Sequence, residues 1–190
     1  MKNKLKSLYE KQSINADGLL SAVSKGWITI EDATEIVGED KALSIVMSAK
    51  LNEISKACNA TIVSGIDLEL NGEVVHFNLS IEDQSNINNL FRVVELGGAE
   101  FPYQADGGVC RIYTAAEITN IYVAAQSLIT TQTTYHNALK SYIQSLEDVD
   151  AISTAFYGME LPDEYTTEMT SKLLVAEQQM KAILEKLGAA

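Results

Sequence analysis

The stretch from Thr114 to Leu146 constrains this chain more than any other. Thr114-Ala115-Ala116-Glu117 has the form of a capping box, a hydroxyl residue followed three positions later by a carboxylate that reaches back to its backbone N–H. Beyond it, apolar side chains recur at alternating steps of three and four: Ile118, Ile121, Ala125, Leu128, Tyr135, Leu139, Tyr142 and Leu146, with Gln132 the one polar interruption. Tyr122, Ile129, His136 and Ile143 run beside them, which makes the stripe wider than a two-stranded seam requires. The spacing predicts a helix of about 33 residues, on the order of 50 Å long, gripped by protein on more than one side. A last helix, from about Asp163 to Leu187, repeats the three-four spacing at Leu173, Ala176, Met180, Ile183 and Leu187. Packed together, the two form a helical hairpin that can stand alone, cover a sheet or join neighbouring copies in a coiled coil; packing within the chain is preferred, and homo-oligomerisation stays open.

The amino-terminal part reads as separate short helices. One covers residues 3 to 12, and a second runs from Asp17 to Lys25 and is ended by Gly26. Thr29-Ile30-Glu31-Asp32 is another capping box, opening a brief helix that stops at Gly38. The helices on either side of Gly26 and Trp27 make a helical hairpin. Trp27 reads first as the plug of its small core and second, with Ile28, as an apolar anchor for a partner. From Asp40 to about Ala57, Leu43, Val46, Met47, Leu51, Ile54 and Cys58 predict a longer amphipathic helix.

The period then switches to two. Ile66, Leu68 and Leu70 alternate with Asp67 and Glu69, and Val75, Phe77 and Leu79 alternate with His76 and Asn78. Asn71-Gly72 between the runs predicts a type I′ hairpin, because both central residues of that turn need positive φ. Ser80-Ile81-Glu82-Asp83 caps the next helix, with Ile87, Leu90, Phe91 and Val94 on one face and Gly97-Gly98 at its end. Residues 99 to 113 read as one or two further strands around Asp106-Gly107-Gly108, completing a small antiparallel sheet, since a lone hairpin is only marginally stable. The fold class is therefore α+β and mainly helical, divided into an N-terminal helical hairpin over 1–38, a connecting helix over 39–62, and the small sheet with its long helical hairpin over 63–190.

A net charge of −12 argues against nucleic acid and anionic membrane as partners. No run approaches the roughly 20 apolar residues of a membrane span, which excludes insertion. The basic start, Met1-Lys2-Asn3-Lys4-Leu5-Lys6, is not followed by an apolar core of signal-peptide length. Cys58 and Cys110 have no CxxC or Cys/His spacing around them, so neither a disulfide framework nor a zinc site is expected.

Catalytic patterns are missing as well: the chain holds no GxSxG, P-loop, GxGxxG or HExxH. The residues that could offer chemistry are Cys110, His76 and His136. His76 falls on the outward side of a strand and His136 at the edge of the long helix's apolar stripe. A Cys110–His136 thiol site lacks a third group to orient it. Asp106-Gly107-Gly108 lacks the following helix or carboxylate ladder of a phosphate or calcium loop. Trp27, Tyr103, Tyr113 and Tyr122 are scattered without interleaved Arg or Lys, unlike a base-stacking platform. The reading is that of a binding module: not an enzyme, with no catalytic residue, no cofactor and no metal.

Two segments resemble known families. Residues 25–38, with Gly26, Ile28, Thr29, Glu31 and Gly38 in a Gly-x-Ile-Thr-x-acidic turn followed by a short helix and glycine, resemble the XkdX-like proteins of phage and prophage tail modules in Gram-positive bacteria. Residues 66–146, in the order hairpin, capped helix, strand and long helix, are similar to an uncharacterised domain of phage tail-fibre and baseplate-associated proteins. Together they imply a virion component of a tailed bacteriophage or phage-tail-like particle, an adaptor at the baseplate or tail-fibre attachment. It would sit in the virion tail, be assembled in the host cytoplasm, and bind other tail, baseplate or fibre proteins. The alternative is a fibre-assembly chaperone absent from the finished particle. Neither resemblance carries a catalytic residue. The contact residues expected are Trp27 and Ile28 on the N-terminal hairpin, and Tyr122, Ile129, His136 and Ile143 on the long helix.

Overall fold

Three capping boxes punctuate the structure where the sequence places them. In the computed structural model, which describes residues 1–186 and the side chains of all of these but 39 and 40, Asp32 N donates to Thr29 Oγ1 while Thr29 N donates to Asp32 Oδ2. Ser80 and Asp83 make the same reciprocal pair, and so do Thr114 and Glu117. Each box satisfies two backbone donors that a helix start would otherwise leave open. The elements are α1 (Lys2–Glu10), α2 (Ala16–Ser24), α3 (Ile30–Val37), α4 (Glu39–Val63), β1 (Ile66–Leu70), β2 (Glu73–Phe77), α5 (Ile81–Glu95), β3 (Glu100–Tyr103), β4 (Arg111–Thr114), α6 (Ala115–Ser145), α7 (Val149–Thr154) and α8 (Asp163–Lys186). The fold is mainly helical α+β, as expected. Leu187, assigned to the last helix's stripe from sequence, lies outside the described residues.

The chain forms two compact units, each built from two stretches: residues 1–56 with 139–161, and residues 57–138 with the chain from 162 onward. Residues 1–38 fall wholly in the first unit, which also takes in most of α4 and the end of α6.

In the first unit, Leu5, Leu19, Ala22, Ile28, Ala33, Ile36 and Ile45 form a buried cluster, with Tyr9, Ile14 and Leu20 packed against it. The core thus needs α1 and the start of α4 as well as the expected hairpin of α2 and α3. Two helices of eight or nine residues have too little apolar surface to enclose one between them. Trp27 does not plug this core. It is 52% exposed, with Lys25 Nζ 4.9 Å above its ring, and Ile28 takes the buried place. The reason is backbone geometry. α2 ends in a Schellman motif, with Gly26 N bonded to Val23 O, Trp27 N bonded to Ala22 O and Gly26 at φ +68°. Beyond this turn the chain bends through Trp27 and Ile28 and is extended at Thr29, the N-cap of α3, a path that buries the Ile28 side chain and leaves the Trp27 ring in solvent.

In the second unit, β1 and β2 pair antiparallel from Ile66↔Phe77 to Leu70↔Glu73, and Asn71 and Gly72 both have positive φ, as a type I′ turn demands. Leu70, Phe77 and Leu79 are buried while Asp67, Glu69 and Val74 face solvent. α4 continues to Val63, beyond the expected end near Ala57, because Ile62 extends the buried row of Ile54 and Cys58 by one more turn. That packing outweighs the poor helix propensity of Thr61, Ile62 and Val63.

The later strands do not extend the first hairpin into one sheet. β3 and β4 form a separate two-stranded sheet with Phe101 opposite Tyr113. The two hairpins join through an aromatic cluster and one backbone bond: Phe77, Tyr103 and Tyr113 have ring centroids 6.1 to 6.3 Å apart, and Asp106 N donates to His76 O at 3.0 Å. An aromatic triad supplies the apolar contact that a third strand would otherwise have to provide.

Candidate functional site

The start of α6 is held by one carboxylate. Glu117 accepts from Thr114 N at 2.8 Å, lies 3.4 Å from the Arg111 guanidinium and accepts from Asn71 Nδ2 at 2.9 Å. These bonds, that from the Thr114 backbone first, pull its carboxyl below the usual range. One side chain thereby ties the helix to the turn of the first hairpin and to β4.

From there the predicted stripe of α6 is inward-facing along its described length. Ile118, Ile121 and Ala125 are buried in the second unit, Leu139 and Ile143 in the first, and Leu128, Gln132, Tyr135 and Tyr142 are half-buried. The four flanking residues expected to meet a partner have separate fates. Tyr122 stacks on Phe91 of α5 at 3.7 Å between centroids, and burial raises its phenol pKa. Ile143 is fully buried, and Ile129 and His136 are half-buried. On the first unit, Ile28 is part of the core while Trp27 is exposed.

What sequence reading passed over is a third face of α6. Val123, Gln126, Ser127, Thr130 and Thr131 line one side of a groove of about 480 Å³. Leu173, Ala176, Met180 and Leu184 of α8 line the other, with Glu177 and Lys181 among them. No residue of α8 is buried, and Leu174 and Val175 are 52% and 53% exposed. The available signal was size rather than hydrophobicity: Val123, Ser127, Thr130 and Thr131 are small side chains at helical spacing, a pattern that lets another helix approach closely.

The two cysteines differ in exposure. Cys58 is buried, its Sγ 3.5 Å from Gln132 O, and Cys110 is exposed just ahead of β4. Among the described residues no group of three or more His, Cys, Asp or Glu is placed to hold a metal ion, and no described helix is long and apolar enough to cross a membrane.

His76 sits among acidic and amide acceptors. Its Nδ1 is 2.7 Å from Asp67 Oδ1 across the hairpin, its Nε2 is 3.2 Å from Asn78 Oδ1, and Asp106 adds attraction. These acceptors, Asp67 foremost, raise its pKa above the ordinary 6.5. A raised folded pKa contributes stability that is complete below pH 6.5 and is lost as pH climbs through the folded value. Hydrogen-exchange protection of the β1–β2 amides, corrected for intrinsic rates, is therefore expected to decline as the pH rises above 6.5. Asp67→Asn should flatten that decline; an unchanged slope in the variant would show that His76 is not its source.

A family model described as a domain of unknown function (DUF4376) matches residues 46–156. No curated protein and no solved structure matches the chain.

Proposed function

The chain belongs to the DUF4376 family, and from the surfaces of its second unit we propose that it is a protein-binding structural component of a tailed phage or phage-tail-like particle, an adaptor at the baseplate or tail-fibre attachment. One observation carries the binding role. α8 is a 24-residue helix with no buried residue, beside an open groove whose other wall is the small-residue face of α6. A surface helix of a folded domain normally buries an apolar stripe. Leu173, Ala176, Met180 and Leu184 have the spacing of such a stripe, and the groove has room for the side chains of an amphipathic helix from a neighbouring tail protein. The place in a phage tail is supported by the resemblance of residues 25–38 to XkdX-like tail-module proteins and of residues 66–146 to a domain of fibre- and baseplate-associated proteins.

Quantitative mass spectrometry of purified particles tests this reading. The adaptor is expected at a copy number that is a multiple of three or six relative to the ring-forming tail proteins. Absence from particles, with abundance in the lysate, would overturn it in favour of an assembly chaperone. Met180→Lys places a charge in the groove at a position that is not itself buried. It is expected to lower incorporation at least tenfold while hydrogen-exchange protection of α5 and α6 is retained.

A further inference from the structure

A second concavity in the same unit, of about 310 Å³, opens where the end of β2, the first turns of α5 and the loop after β3 meet. Tyr103 forms its aromatic side, backed by the parallel ring of Phe77 at 6.3 Å, which is itself only 2% exposed, and Asn78, Asp83, Asn86 and Asp106 form its polar side. The walls are held in place by the chain itself. Asp83 Oδ2 is fixed by Ser80 N at 3.1 Å and Asn78 Oδ1 by His76 at 3.2 Å. Gln104 Nε2 donates to Gly108 O at 2.8 Å and Asp106 N to His76 O at 3.0 Å, which shape the loop. Such a site costs little ordering when a ligand enters.

The groups left over define what fits. Among the described residues, the Asn86 amide, the Tyr103 hydroxyl, the Asn78 Nδ2 and the Asp106 carboxylate make no hydrogen bond within the chain. Two carboxylates and no cationic side chain line the pocket, which excludes phosphate, sulfate and acidic ligands. A simple cation is also a poor match. It accepts no hydrogen bonds, and its entry would strand the donors on Asn78, Asn86 and Tyr103. Neutral hydroxyl groups donate to the carboxylates and accept from the amides and the phenol at once, and the space suits one six-membered ring. We propose that this pocket binds a neutral pyranose sugar unit, its hydroxyls shared among Asp106, Asn86 and Tyr103 and its C–H face against the aromatic wall. This inference is independent of the protein-docking groove.

The test is a set of amide correlation spectra of the full chain, titrated with glucose, galactose, N-acetylglucosamine or rhamnose to about 50 mM, a range that captures millimolar binding. Arginine and inorganic phosphate serve as charged probes. At least one sugar is expected to shift the Asn86 side-chain amide and the Gly107 backbone amide saturably. Asn86→Ala should weaken that sugar at least tenfold and Tyr103→Phe several-fold, with the dispersion of hairpin amides unchanged in both. Retained binding of the methyl glycoside assigns the ligand to the end of a glycan; its loss assigns the free sugar. Spectra unmoved by all four sugars, or moved at those amides by arginine alone, would overturn the proposal.

Discussion

Gly65→Ala is expected to destabilise the second unit by about 3–5 kcal/mol, a cost at the top of the range for a single methyl group. Gly65 stands between α4 and β1 at φ +84°, a left-handed conformation that costs an L-residue roughly 1–2 kcal/mol by itself. The larger part is contact. A Cβ at this position would overlap the carbonyl oxygen of Phe77 and come within 2.8 Å of Asn78 Cα and 2.9 Å of the Phe77 carbonyl carbon. These are backbone atoms, so no side chain can rotate away. They are anchored on either side by Phe77 and Leu79, which are 2% and 0% exposed. Gly97→Ala is the control: its φ is +93° and nothing lies within 4 Å of an added Cβ, so only the conformational cost remains. Hydrogen-exchange protection of the β1–β2 amides, measured for both variants, separates the two. Equal losses would mean that the close approach of β2 to residue 65 does not exist.

Tyr113→Ala is expected to cost a similar amount, about 3–5 kcal/mol, for a different reason. Tyr113 is 1% exposed, meets Phe77 and Tyr103 edge to face at 6.1 Å, and lies under the Arg111 guanidinium at 4.0 Å. Removing its ring takes away the side chain that both hairpins share, and each aromatic pair is worth roughly 0.5–1.5 kcal/mol beyond the area it buries. The effect should extend past β4, because Phe77 and Tyr103 also wall the pocket between β2 and α5. Tyr113→Phe keeps the ring contacts and is expected to lose about 1 kcal/mol. A Tyr113→Ala variant as stable as Tyr113→Phe would show that the hairpins are held by the Asp106–His76 backbone bond and not by the aromatic triad.

The polar pocket illustrates why parts of this molecule escape a linear reading. Phe77, Asp83, Tyr103 and Asp106 lie on four separate elements and loops, and in the chain they read as one core strand residue, one cap, one isolated aromatic and one turn residue. Each of those readings is correct locally. Their convergence depends on how two hairpins and a helix pack, which no spacing within the sequence encodes. The groove beside α8 escaped for another reason. Three of the five residues of its α6 wall are Ser or Thr, which hydrophobic periodicity counts as polar, although their small size is what matters for a helix that must approach closely.

What the amino-acid sequence by itself determined are features that close within a few residues. Thr29 with Asp32, Ser80 with Asp83 and Thr114 with Glu117 set three helix starts, because a side chain and a backbone donor three residues apart satisfy one another whatever lies around them. Asn71-Gly72 set the hairpin and its register, because few residues other than these take positive φ in succession. Tertiary structure alone decided that Ile28 rather than Trp27 is buried, that β3 and β4 make their own sheet, and that α4 and α6 each contribute to both compact units. Those outcomes are sums over many weak apolar contacts between residues far apart in the chain. Such sums depend on which surfaces remain uncovered once the local elements exist, and so they are fixed only when all the elements are packed together.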